Sequence, residues 1–167
     1  MISPMRTMSS EYMLWAKTLQ AAKYNLANSG VFAMPLRELP VQLEDLELSG
    51  TSFYGWPPLQ AALSRHLRVP ENCIVHAVGT SLANHLAMAV AFEPGDEVLI
   101  ESPTYELIVS TAEYLGAKVV RFPRPFNQRF GVDIEALERL LTPRTRLVVL
   151  TNLHNPSSAL LDDATIV

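Results

Sequence analysis

The sequence predicts an α/β protein with a mainly parallel sheet and flanking helices. From residue 73 onward, short β-branched or apolar runs alternate with segments of helical pattern. Each run is of the kind buried on both faces. The chain has 167 residues, 49% of them hydrophobic and 18% charged, which is enough to enclose a core.

Taken in order, residues 9–23 place Tyr12, Trp15, Ala16, Leu19 and Ala22 at spacings of three and four, the stripe of an amphipathic helix. Residues 24–58 are loop-rich, broken by Gly30, Pro35, Pro40, Gly50 and Gly55, with one short helical candidate at Val41–Leu48. Pro57 and Pro58 sit where a helix starts, and Leu59, Ala62, Leu63 and Leu67 continue its apolar face. The expected strands are Cys73–Val78, Val98–Glu101, Lys118–Phe122 and Arg146–Thr151. Between them lie helices Ser81–Phe92, Tyr105–Leu115 and Asp133–Leu141, the last with Asp133 as its N-cap. Strand, helix and strand at this spacing make βαβ units, and hence a parallel sheet.

Charge and composition exclude several functions. The net charge of −4 with scattered arginines gives no basic footprint for nucleic acid. The longest apolar stretch, Leu82–Phe92, is interrupted by Asn84 and His85 and falls far short of the ~20 residues that cross a bilayer, so no membrane partner is expected. A secretory signal is also not expected, since only Arg6 and the short run Tyr12–Ala16 mark the N-terminus; the expectation is a cytoplasmic protein. The single cysteine, Cys73, can form no internal disulfide or metal knuckle, and is read as a small buried apolar residue. No metal site is expected.

In an open parallel sheet, ligands sit beyond the carboxyl ends of the strands, so the residues following each strand are the informative ones. Val78-Gly79-Thr80-Ser81-Leu82-Ala83 passes through one glycine into a helix start that offers free N–H groups and two hydroxyls. That is an anion site suited to phosphate, or an ordinary Ser/Thr cap. A dinucleotide fingerprint needs further glycines, but positions 81 and 84 are Ser and Asn. A nucleophile elbow at Ser81, with His154 as base and Asp133 or Asp162 as third member, would need earlier strands that residues 1–72 do not offer. Glu101-Ser102-Pro103-Thr104-Tyr105 sets a ring at a helix start, as a core residue or as a stacking platform. Thr151-Asn152-Leu153-His154-Asn155-Pro156 follows an apolar strand, as a turn or as an amide donor to a ligand oxygen. Together the three turns describe a site for a planar, phosphorylated ring.

With these residues the sequence resembles the pyridoxal-phosphate enzymes of the aspartate aminotransferase fold, the class I and II aminotransferases. The resemblance rests on Tyr54-Gly55 with Pro58-Leu59, on Val78 to Ala83, on Pro94-Gly95-Asp96-Glu97-Val98-Leu99, on Ser102 to Tyr105, on Gly116-Ala117 and on Thr151-Asn152 with Asn155-Pro156. Their order and spacing span roughly residues 24–160. The resemblance implies pyridoxal 5′-phosphate as cofactor, with Thr80 and Ser81 on its phosphate, Tyr105 stacked on its pyridine ring and Asn155 on its phenolic oxygen. It also implies that Tyr54 reaches a neighbour's cofactor phosphate across a homodimer, and that Ser29 and Gly30 lie near the substrate carboxylate. The implied substrates are an amino acid and a 2-oxo acid. Residues 1–48 would be an N-terminal helix and arm with part of the small domain, and residues 49–167 the first part of the large domain. Cis bonds are implied before Pro103 and Pro156, and the strand at 73–78 would pair with strands contributed later in the family's sequence.

The chain departs from the family in its lysines. Family chemistry requires a Schiff-base lysine, and only Lys17, Lys23 and Lys118 are present, none on a turn at the expected ligand edge. The family lysine follows the Asn-Pro motif, so the expectation is a portion of an aminotransferase that contains no catalytic residue and is inactive alone. Leu153 stands where the family usually has Pro, and Ser157-Ser158 where it has Thr-Gly. A lyase or synthase of the same superfamily would carry identical motifs here. A cofactor-sensing regulator or a non-catalytic remnant are further readings, although residues before 24 hold no helix-turn-helix pattern.

Overall fold

Three parallel strands form the centre of the computed structural model, which describes residues 8–18, 23–24, 33–47, 49–50 and 55–162. They are β1 (Glu97–Ser102), β2 (Lys118–Pro123) and β3 (Thr145–Val149), in the spatial order β2-β1-β3. Val98, Leu99 and Ile100 are completely buried, and such a run is stable only in a strand covered on both faces and paired on both edges. That requirement puts β1 in the middle.

Helix α3 (Gly79–Ala91) precedes β1, α4 (Glu106–Tyr114) joins β1 to β2, and α5 (Ile134–Glu138) joins β2 to β3. Alternation along β1 sends Val98 and Ile100 into a core with Met88, Phe92, Ile108 and Ala112 of the α3 and α4 side. Val119, Leu147 and Val149 complete that layer, and register pairs the first two with Val98 and the third with Ile100. Leu99 and Glu101 take the opposite face with Phe122. Asp133 caps α5 as its sequence position predicts, its carboxylate accepting the Ala136 N–H at 2.9 Å.

The amino ends of the strands are tied by one acid. Glu97, almost wholly buried, accepts from the Thr142 hydroxyl at 2.5 Å, Arg144 Nη2 at 2.5 Å and Lys118 Nζ at 3.1 Å. The Thr142 hydrogen bond first, then those from Arg144 and Lys118, hold its carboxyl at about 2, below its ordinary value of 4.5. A depressed carboxyl contributes stability that is complete above the ordinary value and is lost as pH falls toward the folded one. We therefore expect Glu97→Gln to flatten the dependence of the thermal midpoint on pH between 4.5 and about 2. An acid slope identical to wild type would refute the assignment.

Contacts divide the chain into two units, Met1–Lys17 with Val78–Val167, and Thr18–Ala77. The first holds all but the last residue of α1 (Glu11–Thr18), which lies within the helix predicted at 9–23; residues 19–22 are outside the described set. In the second, α2 (Pro57–Leu67) begins at the paired prolines and ends at Arg68 in the left-handed region, φ 57°. Among the described residues no helix is long and apolar enough to cross a membrane.

Four expectations are corrected. The strand expected at Cys73–Val78 is absent: Glu71–Cys73 is a 3-10 turn, and residues 74–77 pair with no strand. Both edges of β1 are already taken, and no other strand among the described residues lies beside this segment. Cys73, expected to be buried, is consequently exposed. The helix expected at Val41–Leu48 is a single 3-10 turn, Leu43–Asp45, because Leu43 and Leu46 remain exposed and no apolar surface supports a longer one. The helix expected to run to Leu141 ends at Glu138, where Arg139 and Leu140 close the turn through their N–H groups.

Candidate functional site

Both described crossovers begin at β1 or return beside it, with β2 on one side and β3 on the other. An α/β sheet holds ligands outside the carboxyl ends of its strands at such a reversal. Helix α3 is long enough to reach the same edge. Its carboxyl end turns into β1 through the Asp96 N–H to Glu93 O bond of 3.0 Å, and its 13 residues span about 20 Å, the length of β1 itself.

At that end, Gly79 has φ +79° and added bulk at its α-carbon would meet no atom within 4 Å. The chain thus enters α3 without obstruction. Val78, the N-cap, makes no side-chain cap bond, so the first-turn N–H groups keep their donors free. Thr80 and Ser81 are exposed, and their hydroxyls make no hydrogen bond to the described residues. This donor set, two hydroxyls on a positive helix end, matches a phosphate dianion.

After β1 the chain passes a cis Ser102–Pro103 bond to Tyr105, which caps α4. Tyr105 is half-buried against the core. Its hydroxyl donates to Met13 Sδ at 3.3 Å and its ring meets Tyr12 edge to face at 5.7 Å. Ser10 also donates to the Glu106 carboxylate, so α1 is anchored at the start of α4. After β3, Asn155 is exposed, its N–H donating to Thr151 Oγ1 at 2.9 Å and its side-chain amide making no bond to the described residues. The expected cis bond before Pro156 is trans, and the cis bond of this turn is Asn152–Leu153. The turn is closed by Ser158 N–H to His154 O at 2.7 Å and by His154 N–H to Ala159 O at 2.8 Å.

Sequence reasoning missed what joins these turns. Glu101 and Arg124 are fully buried and paired, Arg124 Nη1 to Glu101 Oε2 at 2.6 Å. Glu101 Oε1 accepts from Thr151 N–H at 3.0 Å, from the Thr151 hydroxyl at 2.5 Å and from the Thr104 hydroxyl at 3.4 Å. Arg124 further donates to Phe130 O at 2.6 Å and Thr151 O at 3.2 Å, while its Nη2 finds no partner among the described residues. The signal was an acid closing an otherwise apolar strand, a costly burial unless it is matched.

His154, weighed as a base for Ser81, is buried. Its ring nitrogens are taken by the Ser157 hydroxyl at 2.6 Å and Pro103 O at 2.9 Å, which removes the nucleophile-elbow reading. Lys118 belongs to the amino ends of the strands, about 16 Å from this edge by strand rise. Lys23 stands over the Tyr24 ring at 5.3 Å. Ser29, Gly30 and Tyr54 lie outside the described residues.

The family model described as aminotransferase class I and II matches residues 42–167. The chain is 36% identical over 115 residues to a probable N-succinyldiaminopimelate aminotransferase of Mycobacterium tuberculosis, covering 64% of this chain and 29% of that one. It is 34% identical over 151 residues to the capreomycidine synthase of Streptomyces vinaceus, covering 84% and 39%. Among solved structures, a PLP-dependent aminotransferase from Streptococcus suis superposes with a TM-score of 0.68 at 27% identity, covering 74% of this chain and 33% of the other. The aspartate aminotransferase of Thermus thermophilus with maleate gives 0.66 at 27%, covering 68% and 31%. The chain therefore spans about a third of the length of these proteins.

Proposed function

Because the chain belongs to the class I and II aminotransferases, which depend on pyridoxal phosphate, we propose that it forms the phosphate cradle and ring contacts of an enzyme that moves an amino group between an amino acid and a 2-oxo acid. One observation carries this reading: the unobstructed amino end of α3, where the Thr80 and Ser81 hydroxyls and the first-turn N–H groups are unspent. When bound, the cofactor supplies an electron-withdrawing ring on which the amino group is exchanged. Thr80 and Ser81 hold the phosphate and thereby fix the ring's position. Tyr105 packs on one ring face and excludes water from it. The Asn155 amide donates to the phenolic oxygen and favours its ionised form. In the same reading, residues 49–167 are the first part of the large domain, Tyr54 reaches a partner's phosphate in a homodimer, and Ser29 and Gly30 lie by the substrate carboxylate.

We infer further that this 167-residue chain by itself has no transaminase activity, since Lys118 is bound to Glu97 at the far end of the strands. Turnover by the chain, with borohydride fixing a pyridoxyl group on one of its three lysines, would refute this. The match to a synthase over 84% of the chain supports a second reading, a synthase or lyase using the same cradle.

The test of the cradle uses 4-deoxypyridoxine 5′-phosphate, an aldehyde-free analogue that forms no covalent bond to lysine. We expect calorimetry to give tighter binding than for the unphosphorylated analogue. Ser81→Ala should weaken the phosphorylated form about tenfold, the loss of one hydrogen bond to a charged group. Equal affinity for the two analogues would overturn the proposal.

A further inference from the structure

We propose that Glu101 is a positioning residue, which acts through the Thr151 hydroxyl to fix the Asn155 turn against the ring. This rests on the cofactor reading above and adds residues to it. The direction of the relay follows from chemistry. A carboxylate only accepts, so the Thr151 hydroxyl spends its proton on Glu101 Oε1 at 2.5 Å and leaves its lone pairs for the Asn155 N–H at 2.9 Å. The same Glu101 oxygen also takes the Thr151 N–H, so residue 151 is held at two atoms.

The carboxylate is itself immobile. Its second oxygen is bound by Arg124 Nη1, and Arg124 is locked by Phe130 O and Thr151 O with no exposed surface. The backbone of Arg124 also donates to Ser102 O at 2.8 Å, on the strand that leads to Tyr105. The turns after β1, β2 and β3 thus meet on one buried carboxylate. A fixed hydroxyl and a fixed peptide define where residue 155 begins, and a side-chain amide three bonds further on inherits that position. Since placement within about 0.5 Å decides whether a polar group serves its ligand, this hub sets the strength of the Asn155 contact.

The readout is the ionisation of the ring hydroxyl of bound 4-deoxypyridoxine 5′-phosphate, followed by its ultraviolet spectrum against pH on the full chain. In the wild-type chain the midpoint should lie below that of the free analogue. Thr151→Val keeps the shape and the ion pair but removes the relay. It should raise the bound midpoint by about one pH unit, a tenfold loss of the ionised form, while the dissociation constant measured below the wild-type bound midpoint, where the ring hydroxyl is protonated and the phosphate sets affinity, changes less than twofold. Thr151→Ser restores the hydroxyl and should restore the midpoint. Glu101→Met, which removes both acceptor oxygens, should reproduce the Thr151→Val shift, and the Thr151 pair decides the matter if that variant does not fold.

A Thr151→Val midpoint equal to wild type would overturn the positioning role and leave the cofactor reading intact. A Thr151→Ser protein that behaves like Thr151→Val would also overturn it, since packing and not the hydroxyl would then matter. A wild-type chain that does not bind the analogue would sink the cofactor reading and this inference with it, whereas one that binds it with the free midpoint would overturn this inference alone.

Discussion

Replacing Arg124 with methionine is expected to lower the unfolding free energy of the chain by about 3–5 kcal/mol, the cost of leaving one member of a buried ion pair alone. Methionine fills a comparable volume, so the loss comes from electrostatics and hydrogen bonding more than from a cavity. Glu101 would stay at zero exposure with Thr151 and Thr104 as its remaining donors, and the carbonyls of Phe130 and Thr151 would each lose a donor. The double variant Arg124→Met with Glu101→Gln removes the stranded charge and should recover more than half of the loss, because the two effects share one interaction. Urea unfolding of the four proteins of the cycle gives the coupling directly. A single variant within about 1 kcal/mol of wild type would mean that the buried pair is nearly neutral in net energy, as exposed pairs are.

What could be read from the sequence is what local pattern alone decides. Val98 to Ile100 announces a strand because a run of that composition has no other stable place; Arg146 to Val149 is a strand too, but a half-exposed one with Arg146 and Val148 outward, not the doubly buried run expected; and Asp133 announces a helix start because its carboxylate meets the third N–H beyond it. Residues 73–78 look like the same kind of run, yet a strand needs a neighbour and the pattern does not say whether one is present. Val75 and Val78 are accordingly left exposed. At the proposed site, Thr80, Ser81, Tyr105 and Asn155 stand out in the sequence because each opens a helix or follows a strand. The Glu101, Arg124 and Thr151 hub does not, since its members are 23 and 27 residues apart and only pairing in register brings them together. Local pattern finds the residues that could touch a ligand, whereas the residues that hold them in place are joined by tertiary contacts.

Ile100→Ala is expected to destabilise the chain by about 2–5 kcal/mol, the range for emptying a large aliphatic site in a well-packed core. Ile100 has no exposed surface and lies at the middle of the central strand, facing Met88, Ile108 and Ala112 with Val149 beside it in register. The walls belong to α3, α4 and two strands held by backbone ladders, so little collapse into the void is available and the upper half of the range is expected. Val148→Ala, on the outer strand at 36% exposure, should cost under about 1 kcal/mol by the same measure, because far less apolar area is returned to water. The comparison also separates packing from the site. Ile100 faces away from Glu101, on the other side of β1, and the polar hub keeps every bond in the variant. Below its unfolding transition, Ile100→Ala should therefore bind 4-deoxypyridoxine 5′-phosphate within about twofold of wild type, whereas Ser81→Ala loses about tenfold at nearly unchanged stability. A tenfold loss of affinity in Ile100→Ala would mean that the core layer under α3 and α4 sets the geometry of the phosphate cradle, and that the hub is not sufficient to hold the edge in place.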